Sequence, residues 1–340
     1  MSTVDRRLPV LDLSRFRGPD RAGFLADLRA AAHDVGFFVV VGHDIPVELT
    51  ARLDDAVRRF FALPLADRLE IENTRSPHFR GYSRVGTEHT GGAADRREQI
   101  DVGPERAAVP ARPGDPDWTG LIGPNQWPAA LPELRDAVLE WQSEALRVTR
   151  ELLRAFAAAL GQPEDHFDGW FDDESHQHLK VVHYPGRDVP EQDQGVGAHK
   201  DYGFLALLHQ DDVGGLQVQA PDGGWIDATP VPDGYVVNVG EMLEIATGGY
   251  LVATRHRVLS PPAGVDRFSV PFFLGPRFDA VVAPLTLPPE LAAQAAGVTD
   301  DPANPLHAAY GENALRGWLR SHPDVAQRWW PEVLARRGTS

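Results

Sequence analysis

Gly197-Ala198-His199-Lys200-Asp201-Tyr202-Gly203 is the stretch from which the rest of the chain can be read. Its core is His199-x-Asp201. Successive side chains of a strand alternate between faces, so His199 and Asp201 point one way and Lys200 the other. An imidazole and a carboxylate on one face can take two adjacent positions on a metal ion. A third ligand from another strand would complete a facial triad with open positions. His256, in the strand-like run Ala253-Thr-Arg-His-Arg-Val258, is the candidate for it. With thirteen histidines in the chain, His-x-Asp alone is weak evidence. The support lies downstream, where Arg267-x-Ser269 again sets two side chains on one face. A guanidinium beside a hydroxyl is a fork for one carboxylate. A metal triad followed by a carboxylate clamp suggests a chelating keto acid held at its far end.

The whole pattern reads His199-x-Asp201, 54 intervening residues, His256, ten more, then Arg267-x-Ser269. It resembles the isopenicillin-N-synthase-like family of Fe(II)/2-oxoglutarate-dependent oxygenases. Further stretches carry the same resemblance: Leu8-Pro-Val-Leu-Asp-Leu, Gly36-Phe-Phe-Val-Val-Val-Gly-His, Arg80-Gly-Tyr, His183-Tyr-Pro, Asn238-Val-Gly-Glu241 and Thr247-Gly-Gly-Tyr. Together they span nearly the entire chain. The resemblance implies a mainly β protein with flanking helices: a double-stranded β-helix (jelly-roll) core with an N-terminal α/β cap. It implies Fe(II) on His199, Asp201 and His256. It also implies 2-oxoglutarate as cosubstrate, chelating the metal and held at its remote carboxylate by Arg267, Ser269 and Tyr184, with O2 as oxidant. Succinate and CO2 would leave, and a small, polar metabolite would be hydroxylated, desaturated or cyclised.

Composition narrows the field in the same direction. With no cysteine there is no disulfide and no thiolate metal site. Nitrogen and oxygen ligands remain, which suit Fe(II) better than structural zinc. The formal net charge of −16 argues against nucleic acid or an anionic membrane surface as partner. No apolar run approaches the length of a membrane span, and the polar N-terminus lacks a signal-peptide core, so a cytoplasmic location is the expectation. The cations are nearly all arginine. The only lysines, Lys180 and Lys200, both fall in the presumed site region.

In chain order, residues 1–125 form the expected cap region, 126–172 hold a long scaffold helix, 173–285 carry the double-stranded β-helix, and 286–340 form a helical tail. Leu8–Leu13 and Phe37–Val41 read as strands, and 20–35 and 46–61 as helices by apolar spacing. Residues 73–126 are rich in Gly, Pro and charge and read as a long irregular segment. In relatives this region crosses the barrel mouth, which makes Tyr82, Glu88 and His89 pocket candidates. The pattern over Leu131–Leu160 is the longest helix, with Gly161 as its terminator.

From His178 onward alternation dominates. On the strand His178–Tyr184, residues 178, 180, 182 and 184 share a face. Tyr184 would reach the 2-oxoglutarate tail, so Lys180 also points inward and should serve that tail or a substrate carboxylate. Val182 stands where many plant relatives carry asparagine, and Lys180 could compensate. Further strands are expected over 203–210, 215–220, 225–228, 235–239 and 267–274, and Phe273 should form substrate wall beyond the clamp. The segment Ser321-His-Pro-Asp-Val resembles tails that cover the pocket in bacterial members. Three other readings stay open: an oxidase of the same fold that needs no 2-oxoglutarate, a non-oxidative metal-dependent jelly-roll enzyme, and a binding protein without catalysis.

Overall fold

A computed structural model describes residues 7–90, 92–110, 112–186, 194–298 and 307–337. Its framework is two facing sheets. The larger has eight strands in the order β1-β2-β12-β9-β14-β7-β6-β3. These are β1 (Val10–Asp12), β2 (Phe37–Val41), β3 (Gly81–Ser83), β6 (Glu98–Val102), β7 (His176–Tyr184), β9 (Leu205–Gln210), β12 (Tyr235–Val239) and β14 (Arg267–Gly275). The smaller has the order β11-β10-β13-β8, from β8 (Gln194–His199), β10 (Leu216–Gln219), β11 (Trp225–Asp227) and β13 (His256–Leu259). A short hairpin, β4 (His89–Thr90) with β5 (Ala93–Ala94), stands apart.

Alternation along the strands divides the apolar residues between two cores. The outer face of the large sheet, with Leu179 and Val181 of β7 and Phe272 and Leu274 of β14, packs on the helices in one large cluster. The long helix Glu133–Ala159 lays Leu134, Val138, Trp141, Leu152, Leu153 and Phe156 there, all buried. Gly161 follows its end at φ +74°, a left-handed turn that costs a glycine nothing. The inner face and the small sheet share a second core of Phe37, Val39, Val182, Tyr184, Val196, Leu216, Val218, Val236 and Val258. Between the sheets lies the volume in which a ligand can be enclosed.

Register locates the site. Phe37 pairs with Asn238, Asn238 with Ala206, Ala206 with Phe273, and Phe273 with His178. This row crosses the large sheet from the metal-ligand candidates to its far side. The segment expected to be irregular over 73–126 departs from that expectation: it contributes β3 and β6, and β6 pairs along its whole length with β7. The region expected to be a cap therefore supplies four strands, β1, β2, β3 and β6, to the large sheet.

Candidate active site

His199 ends β8, and Asp201 follows two residues beyond the strand rather than on it. His256 opens β13, and the register sets it directly opposite His199. The two imidazoles lie 4.3 Å apart between centroids. Both Nε2 atoms face one carboxylate oxygen, Asp201 Oδ1, at 3.5 Å from His199 and 3.7 Å from His256. Each Nδ1 is occupied by a backbone carbonyl: Gly197 O at 2.8 Å for His199 and Thr254 O at 3.2 Å for His256. A carbonyl can only accept, so Nδ1 carries the proton and Nε2 keeps its lone pair for a metal. Asn238 Nδ2 donates to the other carboxylate oxygen, Asp201 Oδ2, at 2.8 Å. The edge of Phe37 packs 5.1 Å from the His256 ring and fixes its plane.

These residues fit a divalent ion. All three ligand atoms lie within 4.8 Å of one another, and adjacent donors on an octahedral ion with ~2.1 Å bonds stand about 3 Å apart. Burial pulls the His256 pKa down to about 4, with His199 adding to the effect, so this imidazole is neutral at physiological pH. Burial alone would raise the Asp201 carboxyl, but His256, His199 and the Asn238 amide outweigh it and hold the group well below the usual range. A neutral imidazole at His256 and an ionised carboxylate at Asp201 suit a metal, which takes its ligands deprotonated.

The clamp candidates are on the large sheet. Arg267 pairs with Tyr184 across β14 and β7, and Ser269 pairs with Val182 and, on the other side, with Gln210. The guanidinium of Arg267 is only 1% exposed. It lies 4.8 Å over the Tyr184 ring and is oriented by Gly214 O through Nε, Ser269 Oγ at 3.4 Å through Nη1, and Gln210 Oε1 at 3.2 Å through Nη2. All three partners are neutral, so among the described residues the buried cation faces no anion, and a ligand carboxylate would complete the pair. Gly214 and Gly215 have φ of +82° and +95°, and a Cβ on Gly215 would press on Leu259 O at 3.1 Å and approach Arg267 Cδ at 3.8 Å. The glycine pair is therefore what lets this turn carry its carbonyl to the guanidinium.

Comparison with known proteins places the chain in a family. Residues 8–130 match the family profile described as non-haem dioxygenase in morphine synthesis N-terminal, and residues 175–276 match the 2OG-Fe(II) oxygenase superfamily. A 2-oxoglutarate-dependent dioxygenase, frbJ, of Dothideomycetidae sp. (strain 11243) is 36% identical over 96% of this chain and 94% of its own. The chain belongs to the Fe(II)/2-oxoglutarate-dependent oxygenase family. The homoarginine-6-hydroxylase 2-ODD-C23.1 of Arabidopsis thaliana is also 36% identical, over 84% of this chain and 90% of its own. Among solved structures, a full-length Neurospora crassa protein in complex with alpha-KG superposes with a TM-score of 0.74 at 26% identity, covering 94% of this chain and 98% of that one. The fold is thus the jelly roll, and the oxygenase is an Fe(II)- and 2-oxoglutarate-dependent oxidoreductase. No helix among the described residues is long and apolar enough to cross a membrane.

The remaining candidates divide. Glu88, Lys180 and Phe273 reach the inner wall of the oxygenase, while Tyr82 and His89 do not. Tyr82 pairs with Ile100 and so faces the helices; it is 1% exposed, packs on Phe60, and bonds Glu98 and Arg68. His89 is exposed on the short hairpin. Both expectations took proximity in sequence to the barrel mouth for proximity in space, and a one-residue change of face undoes that. Phe273 faces inward, 5.4 Å from the His178 ring. Lys180 points inward as expected, but not to a free anion. Its ammonium is 3.0 and 3.2 Å from Glu88 and 3.3 Å from Asp101, and that leaves it no donor for Val182's missing polar contact.

Asp101 and the tail residue His322 were not foreseen in this wall. His322 Nε2 lies 2.8 Å from Glu88 Oε1 and 3.2 Å from Asp101 Oδ2, so the tail does reach the interior. Glu88, Asp101 and His322 come close enough to one another to hold an ion. The Lys180 ammonium stands among them as a built-in cation, and a divalent ion would be repelled from that place. Arg97, on the residue preceding β6, was likewise unforeseen. It reaches Glu88 Oε2 at 2.7 Å and Asp95 Oδ2 at 3.3 Å.

Proposed function

We propose that His199, Asp201 and His256 hold the Fe(II) of this oxygenase, and that Arg267, Ser269 and Tyr184 hold the remote carboxylate of 2-oxoglutarate. The substrate is a small, polar molecule received against the inner wall of Phe273, Lys180, Asp101 and Glu88. The observation that carries this reading is the pair of Nε2 atoms aimed at one Asp201 oxygen with both Nδ1 positions already used. Relatives named as homoarginine-6-hydroxylases, and a Neurospora crassa structure holding alpha-KG and thymine, support a small-molecule substrate.

When bound, Fe(II) would mediate the four-electron reduction of O2, two electrons coming from 2-oxoglutarate as it becomes succinate and CO2 and two from the substrate as it is oxidised. The chain's own residues do the rest. Asn238 holds the Asp201 carboxylate so that Oδ1 stays turned to the metal position. Gly197 O and Thr254 O keep the two imidazoles in the ligand tautomer. Arg267 neutralises one end of the cosubstrate in a dry pocket, where a charge-assisted bond is stronger than in water. The apolar inner core around Val182, Val196 and Val258 excludes solvent from the reacting groups.

Anaerobic titration of the protein with Fe(II) and 2-oxoglutarate tests this. A metal-to-ligand absorption band should appear in the wild type and be lost in H256A and D201A. A band that survives either change would remove the ligand set proposed.

A further inference from the structure

The inner wall carries a second charged cluster, apart from the clamp, and what is drawn from it rests on the reading just given. The two carboxylates there are fully engaged. Glu88 Oε1 takes Lys180 and His322, and Oε2 takes Lys180 and Arg97. Asp101 Oδ1 takes His178 at 2.8 Å and Lys180, while Oδ2 takes Gln99 at 2.7 Å and His322. Every oxygen therefore has two donor atoms within reach before any substrate arrives, the single His322 Nε2–H being shared between Glu88 and Asp101, and a cationic substrate would find these carboxylates already occupied.

Two groups near these carboxylates are left without a partner: one acceptor, the buried Gln99 Oε1, and donors on Arg97. Its Nη2 is used by Glu88 and Asp95, but its Nε is buried without a hydrogen-bond partner. Among the described residues none accepts from Nη1 either, but Nη1 is not shut off from solvent as Nε is, so of the three N–H groups without a protein partner the Nε–H is the buried one. Idle donors on a largely buried guanidinium are costly unless a ligand uses them. The position is also suitable. The pairing of Glu98 with His183, continued by one residue, sets Arg97 opposite Tyr184. Asp95, which orients the guanidinium, accepts from Gly197 N at 3.3 Å and Gln194 Nε2 at 2.9 Å. Gly197 O in turn holds His199. Arg97 is thus tied through one carboxylate to the strand that bears His199.

We infer that Arg97 binds a carboxylate of the substrate, with Glu88, Asp95, Lys180, Asp101 and His322 as the neutralising frame that aims it. The substrate class is then a small carboxylic acid, amino acids included, oxidised at a carbon remote from that group. A carboxylate is also what the cosubstrate offers, but its far end already has Arg267 and Ser269, and Arg97's head is drawn away toward Glu88.

Matched pairs test the inference: L-homoarginine with L-homoargininamide, and a panel of other small carboxylates with their primary carboxamides. Each is titrated by calorimetry into anaerobic protein loaded with Fe(II) and 2-oxoglutarate, and into metal-free protein. At least one free acid should bind about tenfold or more tightly than its amide, the fold-change of one charge-assisted hydrogen bond. R97Q should reduce that preference to about twofold or less, and R97K, which keeps the charge facing Glu88, should restore part of it. Equal binding of acid and amide, an unchanged preference in R97Q, or no binding by any acid would overturn the inference. So would a loss of 2-oxoglutarate affinity in R97Q as large as the loss for the acid, since Arg97 would then belong to the cosubstrate. A protein with no metal-to-ligand band that still prefers acids through Arg97 would sink the proposed ligand set and leave this inference standing.

Discussion

Replacing Arg267 with methionine separates a clamp from a structural arginine. The guanidinium is almost fully buried, and its partners are the Gly214 carbonyl, the Ser269 hydroxyl and the Gln210 amide oxygen. Losing three neutral contacts costs about 0.5–1.5 kcal/mol each. Against this, the substitution removes a buried cation that no carboxylate neutralises, a desolvation cost of several kcal/mol. Methionine fills the stem volume over Tyr184, so the two terms should nearly offset and the metal-free protein should keep its stability within about 2 kcal/mol. The cosubstrate complex has no such offset. Truncating one partner of a buried charge pair costs about 2–5 kcal/mol, which is about 30-fold to several-thousand-fold in affinity. Urea denaturation of the metal-free protein, paired with anaerobic calorimetry of 2-oxoglutarate, measures both quantities. A 2-oxoglutarate affinity within about threefold of wild type would refute the clamp. A stability loss as large as the affinity loss would assign Arg267 to the fold instead.

Three further changes read other parts of the site. Asn238→Ala removes the 2.8 Å bond to Asp201 Oδ2 and should weaken metal binding about 10–100-fold in competition with a chelator, with little change in thermal midpoint. Lys180→Met leaves Glu88 and Asp101 facing each other with fewer cations, and should lower unfolding free energy by about 3–5 kcal/mol in urea; a change under about 1 kcal/mol would mean that His322, His178 and Arg97 suffice. His322 gives a pH dependence. Burial opposes its protonation, but Glu88 and Asp101 outweigh burial and raise its pKa, with Lys180, Arg97 and His178 also facing this cluster. The folded form therefore holds the proton more tightly than the unfolded form. The stabilisation is fully present below the ordinary value near 6.5 and is lost as pH rises through the folded value. Wild-type thermal stability should fall over that window relative to His322→Gln, and parallel profiles would remove His322 as the cause.

The proposed metal ligands and clamp were legible because each is a local pair on a short stretch, and alternation tells which side chains share a face. Strands β7, β12 and β14 were legible for the same reason, since they are apolar on at least one face. Even there the geometry differs in detail: Asp201 lies beyond the end of β8, and the chain curls to bring its carboxylate under both imidazoles. Gln210 and Asn238 are second partners whose role depends on cross-strand register, 57 and 37 residues from the groups they touch. Nothing in the local pattern around them specifies that pairing.

Strand β6 shows why the rest was hidden. Glu98-Gln-Ile-Asp-Val102 is buried at all five positions, yet three of its residues are polar and two of those carry charge. A strand with such composition reads as solvated loop, because a charge is expected to stay in water unless it is paired. Here every charge is paired, but from elsewhere. Glu98 meets Arg68, Tyr82 and His183 on the helix side, and Asp101 meets His178, Lys180 and His322 on the inner side. His322 is 221 residues away in sequence. The strand is therefore stable only in the presence of its distant partners, and hydropathy, which scores residues one at a time, cannot register it. The same condition shapes the wall: its carboxylates are consumed by internal donors, and what is left without a partner is Gln99 Oε1 and donors on Arg97. A reading of the segment by its acidic residues alone would point to a cationic substrate, whereas the inference drawn from Arg97 is of an anionic one.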